Sequence, residues 1–476
     1  MTGLQEVIVP TLSQGAALPL TEQIIGWVRE RIEQRVYRSG MRMPSIRRFA
    51  ADNGVSRFTV VDAYDRLVAQ GYLESRRGSG FYIRERRAEP AGAAAPAPAG
   101  NPPASRIDTV WLVRSMFTHA PEGHMPGSGC LPADWLDGDM LDRSLRTLAR
   151  RSTAHALAYG TPEGYAPLRE QLQLHLSAHE IQAQPNQIVL TAGASQALDL
   201  IARHFLKPCD PVLVDDPGYY VLFGRLAAMG ARMIGVPRRA DGPDIAHLEA
   251  MIKAHKPRLY ITQSVLHNPT TTSISAANAY RVLQLADAHD LTVVEDDVHG
   301  DLFPEKANRI AALDQLKRVI YVGSFSKTLG AGLRVGFLAC RKELAQSLAD
   351  EKMLTGLTTP ELGERLVYQV LSDGHYRKHL ERLRERLARA VERTAYSLER
   401  AGFEVFHRPP GGMFLWARAP HAPDANALAI RAHEQGIILA PGSLFSPSQG
   451  ASPWLRFAVA TTSQPKTLRF LESLRP

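Results

Sequence analysis

The string Gly323-Ser324-Phe325-Ser326-Lys327-Thr328-Leu329, followed by Arg334 and Gly336, puts a lysine directly after a β-rich apolar run. A primary amine in that setting can form an imine with an aldehyde, while the hydroxyls of Ser324 and Ser326 and the guanidinium of Arg334 hold a phosphate on the same molecule. A lone lysine beside serines is ordinarily a surface residue. Thr191-Ala192-Gly193-Ala194-Ser195-Gln196 ends a strand and opens a helix, so main-chain N–H groups and the helix dipole face any anion placed there. Alone, it is equally any tight strand-helix turn. Asp296 closes the run Thr292–Asp296, with Asp297, His299 and Asp301 close behind. That group reads as a helix cap or a metal cluster, and no further ligand at recognisable spacing supports the metal.

The elements that must position these residues are legible as apolar β-rich runs alternating with helical stretches: Ile188–Thr191, Val212–Asp215, Leu259–Thr262, Thr292–Asp296, Val319–Gly323 and Val335–Ala339. Alternation of this kind predicts a mostly parallel sheet with helices on both faces. From about Thr355 long charged helices are followed by short strands at Met413–Trp416 and Leu455–Val459, which predicts a smaller α+β lobe.

The N-terminal region has a different pattern. Leu20, Ile24, Val28, Ile32 and Val36 recur every fourth residue and draw an apolar stripe along one helix. Pro44-Ser45 opens a short helix with Ile46 and Phe49 inward, Gly54-Val55-Ser56 is a turn and cap, and a third helix runs from Ser56 to about Gln70 before Gly71. Two strands, Tyr72–Ser75 and Gly80–Ile83, flank Arg76-Arg77-Gly78-Ser79 as a wing. In a helix-turn-helix the first turn of the second helix meets base edges, here Ser56, Arg57, Phe58 and Thr59. Arg57 suits a guanine; Arg47, Arg48, Arg76 and Arg77, with Ser45, Gly78 and Ser79 beside them, suit the DNA backbone. The competing reading is a solvated basic face on a protein-interaction module, but spacing, turn, wing and charge all favour double-stranded DNA.

Residues 40–83, above all MPSIRRFAADNGVSRFTVVDAYDRLVAQGYL and RRGSGFYI, closely resemble the winged helix of GntR-type bacterial regulators. The lysine string resembles the cofactor-lysine segment of fold-type I aminotransferases, and the other segments follow in that family's order. The resemblance implies that Lys327 holds pyridoxal 5'-phosphate and that Ala194 and Ser195 bind its phosphate. It further implies that Asp296 keeps the pyridine nitrogen protonated, that Asn268 of His267-Asn268-Pro269-Thr270 lies near the phenolic oxygen, and that Tyr219 stacks on the ring. Arg456 of Trp454-Leu455-Arg456-Phe457 matches the arginine that clamps a substrate carboxylate, a task suited to a planar bidentate donor. Tyr159 matches a tyrosine that touches the phosphate of a neighbouring subunit, and Pro410-Gly411-Gly412-Met413-Phe414 resembles a hallmark of the small lobe.

Two departures stand out. His299 occupies a position where the family has a tyrosine donating to the phenolic oxygen, and Ala331-Gly332 stands where related regulators have Pro-Gly. An imidazole of ordinary pKa, near ~6.5, would change charge close to neutrality, so the cofactor's absorption is expected to follow pH through His299.

The whole sequence resembles the MocR subfamily of GntR-type regulators. The implied fold is an N-terminal winged helix-turn-helix, mainly α with a β wing, joined to an α/β fold-type I aminotransferase-like domain with a small C-terminal α+β lobe. The implied function is a homodimeric regulator that senses an amino acid or related amine as an external aldimine; the alternative is a working aminotransferase that carries a winged helix. Domain limits are expected at 15–84 for the winged helix, 85–105 for an Ala/Pro-rich linker and 106–476 for the aminotransferase-like part. Its large lobe is expected at about 150–350, and its small lobe at about 355–476 plus an N-terminal segment.

Composition agrees with these expectations. Of 476 residues 45% are hydrophobic and 22% charged, which excludes wholesale disorder. Residues 1–88 hold fourteen arginines, no lysine and nine acidic residues, so most of the net charge of +8 is concentrated in less than a fifth of the chain. No segment has the pattern of a secretion signal or a membrane span. Cys130, Cys209 and Cys340 are too few and too scattered for a disulfide framework or a zinc knuckle, which fits a cytoplasmic location.

Overall fold

The computed structural model describes residue 12 and residues 18–84, 108–117, 124–150, 157–419 and 422–474. The expected linker at 85–105 and the expected domain start at residue 15 lie outside the described residues. The chain divides into two compact units, Met1–Gly100 and Asn101–Pro476.

In the first unit, helices α1 (Leu20–Glu33), α2 (Ile46–Asn53) and α3 (Arg57–Ala69) precede the hairpin of β1 (Leu73–Arg76) and β2 (Gly80–Ile83). Local chemistry sets these limits. The Ser45 hydroxyl accepts from the Arg48 N–H, the Ser56 hydroxyl accepts from the Thr59 N–H, and Gly54 ends α2 in the left-handed conformation at φ 62°. Ile24, Val28, Phe49, Val60, Tyr64, Leu67 and Ile83 form one core. Two expectations need correction. Helix α1 stops at Glu33, because Arg35 turns the chain at φ 59°, and Val36 is exposed instead of extending the stripe. Arg76 pairs with Gly80 as the last residue of β1, so the wing turn is Arg77-Gly78-Ser79.

The second unit is built on eight strands: β3 (Ile188–Thr191), β4 (Pro211–Asp216), β5 (Arg232–Arg239), β6 (Gly242–Pro243), β7 (Leu259–Thr262), β8 (Thr292–Asp296), β9 (Val319–Ser324) and β10 (Gly336–Ala339). Their order is β3-β10-β9-β8-β7-β4-β5-β6. The run from β9 to β5 is parallel, whereas β10 is antiparallel to both β9 and β3 and β6 is antiparallel to β5, so the sheet is mixed at both ends. Successive residues face opposite sides. Leu190, Leu213, Tyr260, Val293 and Tyr321 join the core shared with helices Ala166–Ala178, Ile245–His255 and Ala276–Ala288. Val189, Val212, Val214, Ile261, Val294 and Val322 join the opposite core with helices Ala194–Phe205, Tyr220–Ala228 and Lys342–Gly356. β5 was not anticipated: RMIGVPRR lacks an apolar run, and it forms beyond β4 near the sheet edge, where a glycine and a proline are tolerated.

A four-stranded antiparallel sheet ends the chain, in the order β11 (Glu404–Val405), β12 (Phe414–Arg418), β14 (Trp454–Ala458) and β13 (Ala440–Pro441). The helix His375–Arg400 buries Leu383, Leu387, Val391 and Leu398 in the same core as Leu415 and Phe457. Strand limits differ slightly from the apolar runs because pairing continues to Arg418 opposite Trp454, past the last apolar residue of β12. No helix among the described residues is long and apolar enough to cross a membrane.

Candidate functional site

The carboxyl ends of the parallel strands bring the chemistry together, the usual place for a site in such a sheet. Tyr219 follows β4, Gln263 follows β7, Asp296 ends β8 and Lys327 follows β9. The Lys327 side-chain nitrogen donates to the carbonyl of Gly129 at 2.8 Å. Burial lowers its pKa, and the positive charges of Arg456 and Arg334 push in the same direction. Asp296 is 3% exposed. Its Oδ2 accepts from the Gln263 amide at 2.7 Å, while Oδ1 has no hydrogen-bond partner. Burial raises this carboxyl to about 6. Tyr219 and Asp296 line one small cavity together with His267 and Gln263.

Close approach of two segments forms a helix-capped turn. Gly193, at φ 77°, precedes the helix Ala194–Phe205, and a Cβ there would lie 2.7 Å from Nη2 of Arg334. That nitrogen donates to the Ala192 carbonyl at 2.7 Å. A Cβ on Gly336 would meet the Gly193 carbonyl carbon at 2.7 Å, so both glycines are required for the contact. Ser324 and Ser326 are hydrogen-bonded to each other at 3.1 Å. Ala194 and Ser195 stand in the first turn of the helix, where N–H groups favour an anion.

Arg456, on β14, is fully buried. Its Nη1 donates to Asn268 Oδ1 at 3.0 Å and its Nη2 to the Gly127 carbonyl at 2.7 Å, while Nε has no partner. Phe414 and Phe445 flank the guanidinium at 4.3 and 5.0 Å from their ring centroids. His299 is also buried, packed edge to face on Phe414. Burial, followed by the nearby charges of Lys327 and Arg456, holds its pKa well below the ordinary value. Burial and these charges thus favour the neutral imidazole and weigh against the expected change of charge near neutrality. Tyr159 is not brought into this cluster and stands 80% exposed.

Several participating residues gave no sequence signal. Gln263 bridges two of them, since its Oε1 accepts from the Asn268 N–H at 2.7 Å while its amide holds Asp296. Asp215 anchors the strands beneath, accepting from Tyr260, Thr262 and Arg238. The segment His124–Cys130 supplies the carbonyls on Lys327 and Arg456. The metal cluster of Asp297, His299 and Asp301 does not form: Asp297 is bound by Arg309 and Tyr321, and Asp301 meets His175 and His179.

In the first unit Arg47, Arg57, Phe58 and Arg77 are exposed around the two capped helices and the wing. Phe58 is 81% exposed at the head of α3. Ser45 and Ser56 are occupied as helix caps, and Thr59 lies within 2.8 Å of the Ser56 hydroxyl. Arg48 pairs with Asp52, and Arg76 is held by Glu74 and lies over the Tyr82 ring at 4.4 Å. Gly78 takes φ 76° in the turn, and Ser79 is hydrogen-bonded to Tyr82.

Residues 133–474 match the family described as aminotransferase class I and II, and residues 20–83 match the bacterial regulatory proteins of the gntR family. A 2-aminoadipate transaminase of Thermus thermophilus is 35% identical over 350 residues, covering 71% of this chain and 86% of that protein. The probable rhizopine catabolism regulatory protein MocR of Rhizobium meliloti is 28% identical over 451 residues, covering 92% of this chain and 90% of that one. A crystal structure of Pyrococcus horikoshii kynurenine aminotransferase, in complex with PMP, superposes with a TM-score of 0.71 at 27% identity, covering 78% of this chain and 94% of that one. With both units accounted for along one chain, the protein belongs to the class I and II aminotransferase family, fused to a gntR-family domain in the MocR architecture.

Proposed function

We propose that the chain is a pyridoxal phosphate-dependent, DNA-binding transcriptional regulator that senses an amino acid or related amine. One observation carries this reading: a winged helix with exposed arginines is fused to a site in which a buried arginine and a buried aspartate each keep an atom without a protein partner. In this reading residues 15–84 bind DNA, 85–105 link, and 106–476 sense. The similarity to the regulatory protein MocR over nearly the whole chain favours regulation over turnover as the role.

The residues fit the cofactor. The orphaned Oδ1 of Asp296 suits a pyridine N–H, and the tight Gly193 turn beside Arg334 suits a phosphate. Lys327 would attach the group, Ala194, Ser195, Ser324, Ser326 and Arg334 would hold its phosphate, Tyr219 would stack on the ring, and Asn268 with His299 would flank its phenolic oxygen. When bound, pyridoxal phosphate supplies an aldehyde that reacts with amines and a ring that withdraws electrons. Burial favours the neutral amine of Lys327, the nucleophilic form. Asp296 holds a proton at the ring nitrogen. Arg456 binds the effector's carboxylate in exchange for the Gly127 carbonyl that it now meets.

Assembly is proposed as a cytoplasmic homodimer on paired half-sites. Tyr159 and Leu157 are exposed beside Gly160, which lies against Glu361, and Leu357 and Leu362 are exposed near that glutamate in sequence. Such apolar exposure supports a second subunit, whose phosphate Tyr159 would reach. At the DNA, Arg57, Phe58, Ser56 and Thr59 face bases, while Ser45, Arg47, Arg48, Arg76, Arg77, Gly78 and Ser79 lie along the backbone. An effector alters DNA binding only by differing in affinity for two arrangements of the protein.

The test titrates amino acids into the full chain loaded with pyridoxal phosphate, following visible absorbance and promoter-fragment binding together. An amino acid that changes both is the expected result. Steady transamination at ordinary enzyme rates, with DNA binding indifferent to every amino acid that changes the spectrum, would overturn the reading in favour of a working aminotransferase.

A further inference from the structure

We propose that His175, His179 and Asp301 form a site for one divalent transition-metal ion of the zinc class, beside the turn that carries Lys327. The two histidines are four residues apart at the end of the helix Ala166–Ala178, with His179 as its C-cap, so they share a face. Asp301 comes from the short turn Gly300–Leu302 that follows β8. The Nε2 atoms of His175 and His179 lie 3.3 and 3.1 Å from the same oxygen, Asp301 Oδ1, and the three ligand atoms are all within 4.8 Å of one another.

Zinc binds imidazole nitrogen and carboxylate oxygen at about 2.0–2.2 Å, so neighbouring ligands of a tetrahedral ion are about 3.3 Å apart. The two imidazole-carboxylate separations, 3.3 and 3.1 Å, lie close to that value. Two imidazoles with one carboxylate select a first-row transition metal over magnesium or calcium, which prefer oxygen. The carboxylate is also oriented from outside. The Tyr376 hydroxyl donates to Asp301 Oδ2 at 2.8 Å, and Arg384 Nε donates to the Asp301 carbonyl at 2.8 Å, as partners of metal ligands do.

A second observation points to the same place. His175, Asp297, Asp301 and Tyr321 line a cavity of about 10 Å³, close to the room one water needs. The Asp297 side chain is 1% exposed, with Oδ2 taken by Arg309 and Tyr321 at 2.7 Å, yet its Oδ1 has no hydrogen-bond partner. A buried acceptor without a donor is costly. Water in the fourth position of the ion supplies that donor. Arg309 balances Asp297, so the ion's charge is matched chiefly by Asp301. Side-chain exposures of 14–19% at the three ligands leave a route for entry. The site also touches the lysine turn: the Tyr376 hydroxyl lies 2.9 Å from that of Thr328, the residue after Lys327. The ion's role is to brace that turn, with no part in bond-making.

Equilibrium dialysis of the metal-stripped full chain against zinc alone, with metal counted by plasma emission, tests the site, alongside His179→Gln and Asp301→Asn. Glutamine keeps an N–H for Asp301 but is a poor zinc ligand, so a plain hydrogen-bonded cluster survives that change and a metal site does not. The expected result is one zinc per wild-type chain, affinity reduced tenfold or more in His179→Gln, and a zinc-dependent rise in thermal midpoint that the variant lacks. Cobalt substitution is expected to give the intense visible bands of a tetrahedral ion in the wild type only. Wild-type chain without stoichiometric zinc, or His179→Gln holding zinc as tightly as wild type, would overturn the proposal. If Asp301→Asn fails to fold, His179→Gln decides alone.

Discussion

The two units use arginine in opposite ways. On α2, α3 and the wing, Arg47, Arg57 and Arg77 stand exposed around a small helical core. In the second unit Arg456 is buried among aromatic rings, held by an amide oxygen and a main-chain carbonyl. A solvated arginine costs the fold little and suits a large, exchangeable polyanion such as DNA. A buried one without a matching anion is kept at a cost in stability and suits one small ligand that completes its bonding. Exposure thus separates the two kinds of binding better than residue type does.

The hardest way to break this contrast is to remove the attachment point. Lys327→Ala is expected to abolish borohydride-trapped pyridoxal phosphate completely, with promoter-fragment binding in the absence of effector preserved. Trapping at wild-type level in the variant would show that the buried site is not organised around this lysine. Next comes Arg456→Met, which removes the cation while keeping an apolar stem between Phe414 and Phe445. Loss of a charged, buried hydrogen-bond partner costs about 2–5 kcal/mol, so amino-acid titrations followed by absorbance should weaken by at least thirtyfold or so. Amines without a carboxylate should be unaffected, and equal loss for both ligand classes would assign Arg456 a purely structural role.

Asp296 gives the pH form of the same argument. Burial raises its carboxyl to about 6 in the cofactor-free chain, whereas a partner carrying a ring N–H requires the ionised form. Cofactor affinity should therefore fall as pH drops through about 6 and level off above it. Asp296→Asn should bind weakly at every pH, without that inflection; dialysis retention across the range measures both.

Arg57→Ala sharpens the exposed side of the comparison. A base-reading arginine is worth about 1–3 kcal/mol of discrimination, so the change should relax sequence preference in binding to randomised half-sites. Unchanged preference would move base reading elsewhere. Ser56→Ala, one residue earlier, removes the cap on the Thr59 N–H and should cost about 1 kcal/mol in unfolding of the first unit.

How much of this the sequence could reveal depended on whether a residue's role was local. The helix starts at Ser45 and Ser56, the turn at Gly54 and the apolar runs that form β3, β4, β7, β8 and β9 follow from neighbours in the chain, and all were legible. β5 was hidden because the sheet edge tolerates a glycine and a proline that no apolar pattern advertises. Gln263 was hidden for another reason: its work is to join Asp296 to Asn268, a relation that exists only once β7 and β8 are side by side. His175 and His179 did carry a signal, since their spacing is that of one helical turn, but their meeting with Asp301 spans more than a hundred residues. His299 shows the limit most plainly, because residue type suggested a titrating group and burial favours its neutral form.

The smallest expected effect lies within the wing, where two adjacent arginines differ in what already holds them. Arg76 ends β1 with its guanidinium hydrogen-bonded to Glu74 at 2.7 Å and stacked over Tyr82, so its charge is partly matched before DNA arrives. Arg77 is exposed in the turn beside Gly78. A phosphate contact contributes by releasing counterions, and an arginine already paired with a carboxylate releases fewer. Arg77→Ala should therefore reduce the salt dependence of DNA binding by close to one ion, uniformly across sequences, while Arg76→Ala should reduce it by less and should instead loosen the hairpin that Tyr82 helps to pack. Glu74→Gln provides the control: freeing Arg76 should steepen the salt dependence toward that of two independent contacts. Identical slopes for Arg76→Ala and Arg77→Ala, with no change in Glu74→Gln, would mean that the ion pair opens on DNA and that the wing's two arginines act alike.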